Sequence, residues 1–302
     1  VLCFGDGLDV FPGPPKTTLP LDKVKTTLPL DKVKTIVCHG NCPDGLASAM
    51  ILHRALPKAE VVFLEHDQPE YQALKARPGM LFCDIAPPRE RVFEFVAQGA
   101  IVLDHHKHAK DLVNLFEYGR FADEVKDPGV SGASLAYTHV YEPLLGPDLD
   151  TRGIAQLAGI RDTWQTNHPC WLEACYQAEA SSFLGWTGGA EYFETFMSAG
   201  FYELGKKLYT KRLSKGKKQA EQACLVGRVA ILNERYVSDV AEALRGTNTG
   251  AEIAVGFQYV GENDRTMKIV YSMRSLGEID VGAIAAANGG GGHTKAAGFS
   301  TE

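Results

Sequence analysis

The sequence predicts an α/β protein with an N-terminal, mostly parallel sheet flanked by helices, joined by a long helix to a smaller C-terminal α/β domain. Two observations predict it. Short apolar runs alternate with helix-length segments between about residues 33 and 104, as in parallel strands joined by helical crossovers. A second alternating block follows a long, lysine-rich helical stretch. A chain of 302 residues accommodates two such domains. It buries roughly three quarters of its unfolded surface, so folding requires neither disulfides nor a structural metal.

Residues 1–32 are expected to be irregular. Pro12, Pro14, Pro15, Pro20 and Pro29 interrupt regular structure, and TTLPLDKVK occurs twice in succession, from Thr17 to Lys25 and from Thr26 to Lys34. That period is too short for a solenoid unit and reads as a duplicated linker. The first domain, residues 33–189, opens with a strand from Val33 to Cys38 and a helix from Leu46 to Ala55. Strands follow at Val61 to Leu64 and Met80 to Asp84, then a helix from Arg89 to Gln98 and a strand from Ala100 to Leu103. Further on, Ile154 to Ile160 reads as an apolar helix.

Residues 190–222 are expected to form one connecting helix. Its stretch from Lys206 to Lys218 carries seven Lys or Arg residues and no acid, which reads as a solvated face. The last domain, residues 223–302, is expected to contain strands at Leu225 to Leu232, Glu252 to Val260 and Thr266 to Ser272. Helices at Val237 to Arg245 and Val281 to Ala287 complete it, and it closes on GGGGHTKAAGF.

With 31 basic against 37 acidic residues the formal charge is -6, which argues against bulk electrostatic coating of long nucleic acids. Seven cysteines, scattered and never in a C-x-x-C pair, point to free thiols in a reducing compartment. No apolar window is long enough for a membrane span and no basic stretch precedes an apolar run at the N-terminus, so a soluble, cytoplasmic location is expected. Trp164, Trp171 and Trp186 read as core aromatics, and His66 and His108 as core or surface residues without an assigned partner.

Ligands of open α/β sheets bind beyond the carboxyl ends of the strands. Those ends carry His39, Asn41 and Asp44; then Asp84; then Asp104, His105 and His106. Asp162 follows the apolar helix. Carboxylates and imidazoles are ligands for Mn²⁺ or Mg²⁺, with imidazole favouring manganese. Acids gathered at one sheet edge repel one another unless cations neutralise them. The bland alternative is that Asp84 and Asp162 cap the helices after them. The run Gly289 to Gly292 followed by His293 presents backbone N–H groups suited to an anion, with a helix dipole expected behind them.

The chain resembles DHH-family phosphoesterases with their associated C-terminal domain, the group of RecJ-like exonucleases, nano-RNases and cyclic-dinucleotide phosphodiesterases. The resemblance runs from about Val33 to Phe299. It rests on HGNCPDG (His39 to Gly45), FCDIAPPRE (Phe82 to Glu90), LDHHKHA (Leu103 to Ala109), SGASLAY (Ser131 to Tyr137), IRDTW (Ile160 to Trp164), and SMRS (Ser272 to Ser275) with GGGGHTKAAGF. It implies two Mn²⁺ ions, with Mg²⁺ or Co²⁺ as substitutes. His39 and the first motif's acidic positions, one of them occupied here by Asn41, would hold the first ion, Asp84 would bridge, and Asp44, His105 and Asp162 would complete the second site. Asp104 and His106 would orient ligands or touch the scissile phosphate. Arg274, Ser275, Gly290, Gly291, Gly292 and His293 would grip the substrate's far end. One departure concerns the first motif, where Asn41 stands roughly in the place of a second aspartate.

The resemblance thus implies a manganese-dependent phosphoesterase acting on short oligonucleotides or nucleotides by a two-metal mechanism, with a homodimer allowed. No sequence remains after the last motif for the further oligonucleotide-binding domain of RecJ-like enzymes, which favours short substrates. The competing expectations are a single-strand exonuclease on longer DNA or RNA, a pyrophosphatase or exopolyphosphatase, and a catalytically silent nucleotide-binding module.

Overall fold

The computed structural model describes residues 27–301 except 41, 67, 124, 125, 235, 236, 246, 264 and 265. The first copy of the tandem repeat and Asn41 lie outside the described residues. The chain enters the core at Leu30, and β1 (Thr35–His39), α1 (Pro43–Ala55), β2 (Glu60–Leu64), α2 (Pro69–Gln72) and β3 (Met80–Cys83) follow. Next come α3 (Val92–Ala97), β4 (Ile101–Asp104), α4 (Lys110–Val113) and β5 (Tyr118–Phe121). The strands form a five-stranded sheet in the order β2-β1-β3-β4-β5 with every pairing parallel.

Both faces of this sheet are buried, which is why its strands read as continuous apolar runs. Ile36, Cys38, Leu81, Cys83, Ile101 and Leu103 join one core cluster. The alternate residues Val37, Met80, Phe82 and Val102 join the other, as a period of two dictates. Helices α5 (Gly132–Ala136), α6 (Glu142–Leu145), α7 (Leu149–Asp162) and α8 (Trp171–Leu184) come next, α5 and α6 being linked by a π-turn over Tyr137–Tyr141. Helix α1 packs against α5, α7 and α8.

The expected single connecting helix is two, α9 (Gly189–Phe196) and α10 (Ala199–Ala220), because Ser198 stops the first and N-caps the second by accepting the Phe201 N–H. Helix α10 packs on α8 and on α11 (Ser238–Arg245). Arg212 spans that junction, 2.9 Å from Glu179 on α8 and 2.6 Å from Asp239 on α11. The six lysines of the basic stretch are exposed, and Arg212 is the basic side chain of that stretch drawn inward.

The second sheet contains β6 (Cys224–Val226), β7 (Val229–Leu232), β8 (Ile253–Asn263), β9 (Thr266–Ser275), β10 (Gly291–Gly292) and β11 (Ala296–Thr301), with α12 (Val281–Ala287) between β9 and β10. Its order is β10-β11-β9-β8-β7-β6, antiparallel except for β7 with β8. The strand expected over Leu225 to Leu232 is a hairpin turned at Gly227, whose φ of 58° lies in the left-handed region open to glycine. The four-glycine run differs from expectation as well. It follows α12 and enters the β10–β11 hairpin, so no helix dipole stands behind it.

Candidate metal centre

In the order 2-1-3-4-5 the direction of winding reverses between β1 and β3, and the crevice at their carboxyl ends is where such sheets bind ligands. His39 ends β1 and Asp84 follows β3 at that point. Asp84 has φ 63°, a left-handed conformation that costs a non-glycine residue energy and clusters at functional sites. Neither aspartate is a helix cap. The helical turn after Asp84 starts at Arg89, with Pro88 before it, and Asp162 is the last residue of α7, where the helix dipole disfavours a carboxylate.

The predicted residues converge. Asp84 is 1% exposed, and its two oxygens face different partners. Oδ1 lies 3.1 Å from His105 Nε2, while Oδ2 lies 3.7 Å from His39 Nδ1. His105 Nε2 is also 3.8 Å from Asp44 Oδ2 and 3.6 Å from Asp162 Oδ2. Two sets of donor atoms, each within 4.8 Å of one another, therefore share Asp84: Asp44 with His105, and His39 with Cys42. A third such set is His105, His106 and His293.

Asp44 is fixed by the start of α5. The backbone N–H groups of Gly132 and Ala133 donate to its oxygens at 2.6 and 3.1 Å. Burial, then repulsion from Asp84 and Asp162, pushes its pKa well up. Burial opposes the Asp84 charge too, but the imidazoles of His105 and His39 outweigh it and hold that pKa down. His39 Nδ1, Asp84 Oδ2, His105 Nδ1 and Asp162 Oδ2 are buried without a hydrogen bond. Buried polar atoms are normally satisfied, and a pair of divalent cations among these donors would satisfy three of them. The residues present therefore fit the metals that the motifs imply.

Asp104 and His106 form a separate unit beside the donors. One Asp104 oxygen accepts both the ring Nδ1–H of His106, at 2.8 Å, and its backbone N–H, at 2.9 Å. Burial works against the imidazolium, but the Asp104 charge and hydrogen bond prevail and push the His106 pKa up to about 10. Because folding raises this pKa above its ordinary 6.5, the pair's stabilisation is complete below about pH 6.5 and is lost as pH rises toward 10. In the metal-free protein, an NMR titration is expected to find the His106 ring still protonated at pH 8; titration near 6.5 would contradict the ion pair.

Across from the donors, between the two sheets, lies a cavity of about 560 Å³. Its walls include Asp44, Arg161, Asp162, Trp164, Arg212, Arg274 and His293. His293 Nε2 is 3.4 Å from Asp162, its ring stacks on His105 at 5.3 Å, and Lys107 donates to Thr294 at 3.0 Å, so the β10–β11 hairpin closes over the donors. Arg274 donates to Ser238 at 3.1 Å. Burial, with Arg161 and Arg212 nearby, lowers its pKa to about 10 against the pull of Asp239. Ser275 is fully buried and donates to the Gly277 carbonyl, and it is not among the cavity-lining residues. Gly290, Gly291 and Gly292 also stand off the cavity wall, with Gly291 facing His108.

Sequence reasoning missed several residues here. Glu65 follows β2 at the same sheet edge and contacts His39 Nε2 at 3.1 Å, so the strand-end rule could have found it. His66 and His108, which the sequence leaves unassigned, pack at 5.9 Å from each other and at 5.8 and 5.5 Å from His39 and His106. Arg161 and Trp164 sit in the IRDTW motif, where Arg161 stacks on the Trp164 ring at 4.5 Å. Trp164 is core and cavity wall at once.

A parallel sheet with a histidine–aspartate cluster at its switch point and a mixed sheet across a cleft is a fold shared with solved DHH-domain structures. The chain is similar to the pGpG-specific phosphodiesterase PggH from Vibrio cholerae, at 13% identity over 89% of this chain and 93% of that one, with a TM-score of 0.50. RecJ from Thermus thermophilus, solved in complex with Mn²⁺, is similar at 19% identity and a TM-score of 0.53; the match covers 90% of this chain and half of RecJ. A DHH domain from a member of a ribosomal-protein family gives 13% identity and a TM-score of 0.59 over 89% of this chain and 83% of that one. Neither a protein-family model nor a curated protein matches the chain. Among the described residues no helix is long and apolar enough to cross a membrane.

Proposed function

We propose that the protein is a two-metal phosphoesterase that hydrolyses short oligonucleotides or nucleotides in the cleft between its two sheets. The observation that carries this is Asp84, a buried carboxylate whose two oxygens serve two donor sets beside a cavity. His39 on one side, and Asp44, His105 and Asp162 on the other, would hold divalent ions such as Mn²⁺ with Asp84 shared between them. Such an ion pair supplies an activated water nucleophile and charge neutralisation at the phosphoryl oxygens.

The chain's own residues supply the rest. Asp104 orients His106 and keeps it cationic, so that the imidazolium can meet charge developing on a phosphate oxygen. Arg161 and Arg274, whose guanidinium groups lie over the Trp164 ring at 4.5 and 5.6 Å, form with Arg212 a cavity wall suited to phosphate and to stacking on a base. His293, brought in by the closing hairpin, faces the same space. Arg274 fits a gripping role, whereas Ser275 and the glycines support the hairpin that carries His293. A cavity of about 560 Å³ suits a short substrate, and PggH, a pGpG phosphodiesterase of similar fold, supports the same reading.

The test is product release from a 5′-phosphorylated dinucleotide, from an oligomer of about twenty nucleotides and from pyrophosphate, each with Mn²⁺ and with chelator. Chelator-sensitive turnover that favours the dinucleotide is expected. Preference for the oligomer would make it an exonuclease, and preference for pyrophosphate a phosphoanhydride hydrolase. Saturable nucleotide binding without any turnover would leave a binding module.

A further inference from the structure

The two halves of the site differ in chemistry. One set, Asp44, Asp84 and His105, offers two carboxylates and one imidazole; the other, His39, Cys42 and Asp84, replaces a carboxylate with a thiol. We propose that Cys42 is a thiolate ligand to the ion on the His39 side, so that this half selects a borderline ion such as Zn²⁺ or Co²⁺ over Mn²⁺. The proposal rests on the two-metal reading and specifies one half of it.

Three observations support it. Cys42 is the N-cap of α1, directly before Pro43 and two residues before Asp44 in sequence. Its sulfur lies within 4.8 Å of ligand atoms from His39 and Asp84. Independently, Asp84 Oδ2, on a side chain 1% exposed, faces the same side without a hydrogen bond, as does His39 Nδ1. A cation bound by one imidazole nitrogen, one thiolate and one carboxylate oxygen has the three-protein-ligand set of an open zinc site. The thiol would release its proton to solvent as the ion binds. Soft thiolate donors discriminate in favour of zinc and against magnesium and manganese, whereas the oxygen-rich half retains a preference for hard ions.

Cys38 and Cys83 are fully buried in the sheet's apolar cluster and do not join the donor set. Cys224 is exposed on β6, which makes Cys224→Ser the control for adventitious binding.

The experiment loads the metal-free full-length chain with Co²⁺ and records the sulfur-to-cobalt charge-transfer band in the near ultraviolet. X-ray absorption of the Zn²⁺ form then measures the zinc–sulfur distance. The band and a zinc–sulfur shell at about 2.3 Å are expected in the unaltered chain and in Cys224→Ser. Cys42→Ser should abolish both and weaken Zn²⁺ binding at least about tenfold. Cys42→Asp, which keeps a ligand in place, should shift the preference of that half toward Mn²⁺. Two bound Co²⁺ ions without the band, or a band unchanged by either Cys42 variant, would overturn the thiolate assignment and leave the two-metal reading standing. Failure to bind any ion would overturn both.

Discussion

Asp84→Asn is expected to lower turnover by at least about a thousandfold while leaving the fold intact. Losing the shared carboxylate removes a ligand from both donor sets, and the several kcal/mol of transition-state stabilisation that metal ions supply correspond to that factor. Asparagine is the informative replacement because Asp84 sits at φ 63°, which asparagine tolerates better than most residues. Alanine would add roughly 1–2 kcal/mol of backbone strain and confound the result. The variant relieves repulsion on Asp44 but gives up the Asp84 charge that His105 and His39 favour. The metal-free melting temperature is therefore expected to fall while the folded state is kept. Retention of more than a few per cent of the rate, with both ions still bound, would remove Asp84 from the centre of the mechanism.

Gly132→Ala is expected to damage both stability and metal binding. A Cβ at Gly132 would meet Asp84 Cβ at 2.5 Å, Ser48 Oγ at 2.8 Å and Asp44 Oδ2 at 3.0 Å. All three neighbours are buried, so relief must come from moving α5 or the carboxylates. Overpacking of this kind costs about 1–3 kcal/mol, and the shift would lengthen the 2.6 Å hydrogen bond from the Gly132 N–H to Asp44. Denaturant unfolding and a divalent-ion titration check the two effects together. Gly277→Ala is the control, since nothing lies within 4 Å of the Cβ it would add. Unchanged ion affinity in Gly132→Ala would show that the N-terminus of α5 does not position Asp44.

The donor side of the site is legible in the sequence because strands advertise themselves by apolar runs, and the residues just past their ends must face the crevice whatever the details of packing. His39, Asp44, Asp84 and His105 are found that way. The cavity wall is not. Arg161 and Arg212 are each one arginine on a long helix, and only the packing of α7, α8, α10 and α11 brings both to the cavity wall. The strand Tyr118–Phe121 escapes because Gly119 and Arg120 break its apolar run, although pairing with β4 makes it a sheet edge. The four glycines read as an anion cradle ahead of a helix, but their permissive backbone serves a tight hairpin. Gly290 lies so close to Gly298 that a Cβ there would meet the Gly298 carbonyl at 2.1 Å. The side chain that this hairpin delivers to the cavity is His293.

The most direct test of a two-metal centre built on Asp84 is anomalous diffraction from crystals grown with Mn²⁺ and Zn²⁺, recorded at both absorption edges. Two peaks are predicted, roughly 3.5–4 Å apart, with the Asp84 carboxylate between them, one beside His39 and Cys42 and the other beside Asp44, His105 and Asp162. A single ion, or ions that leave Asp84 uncoordinated, would contradict it.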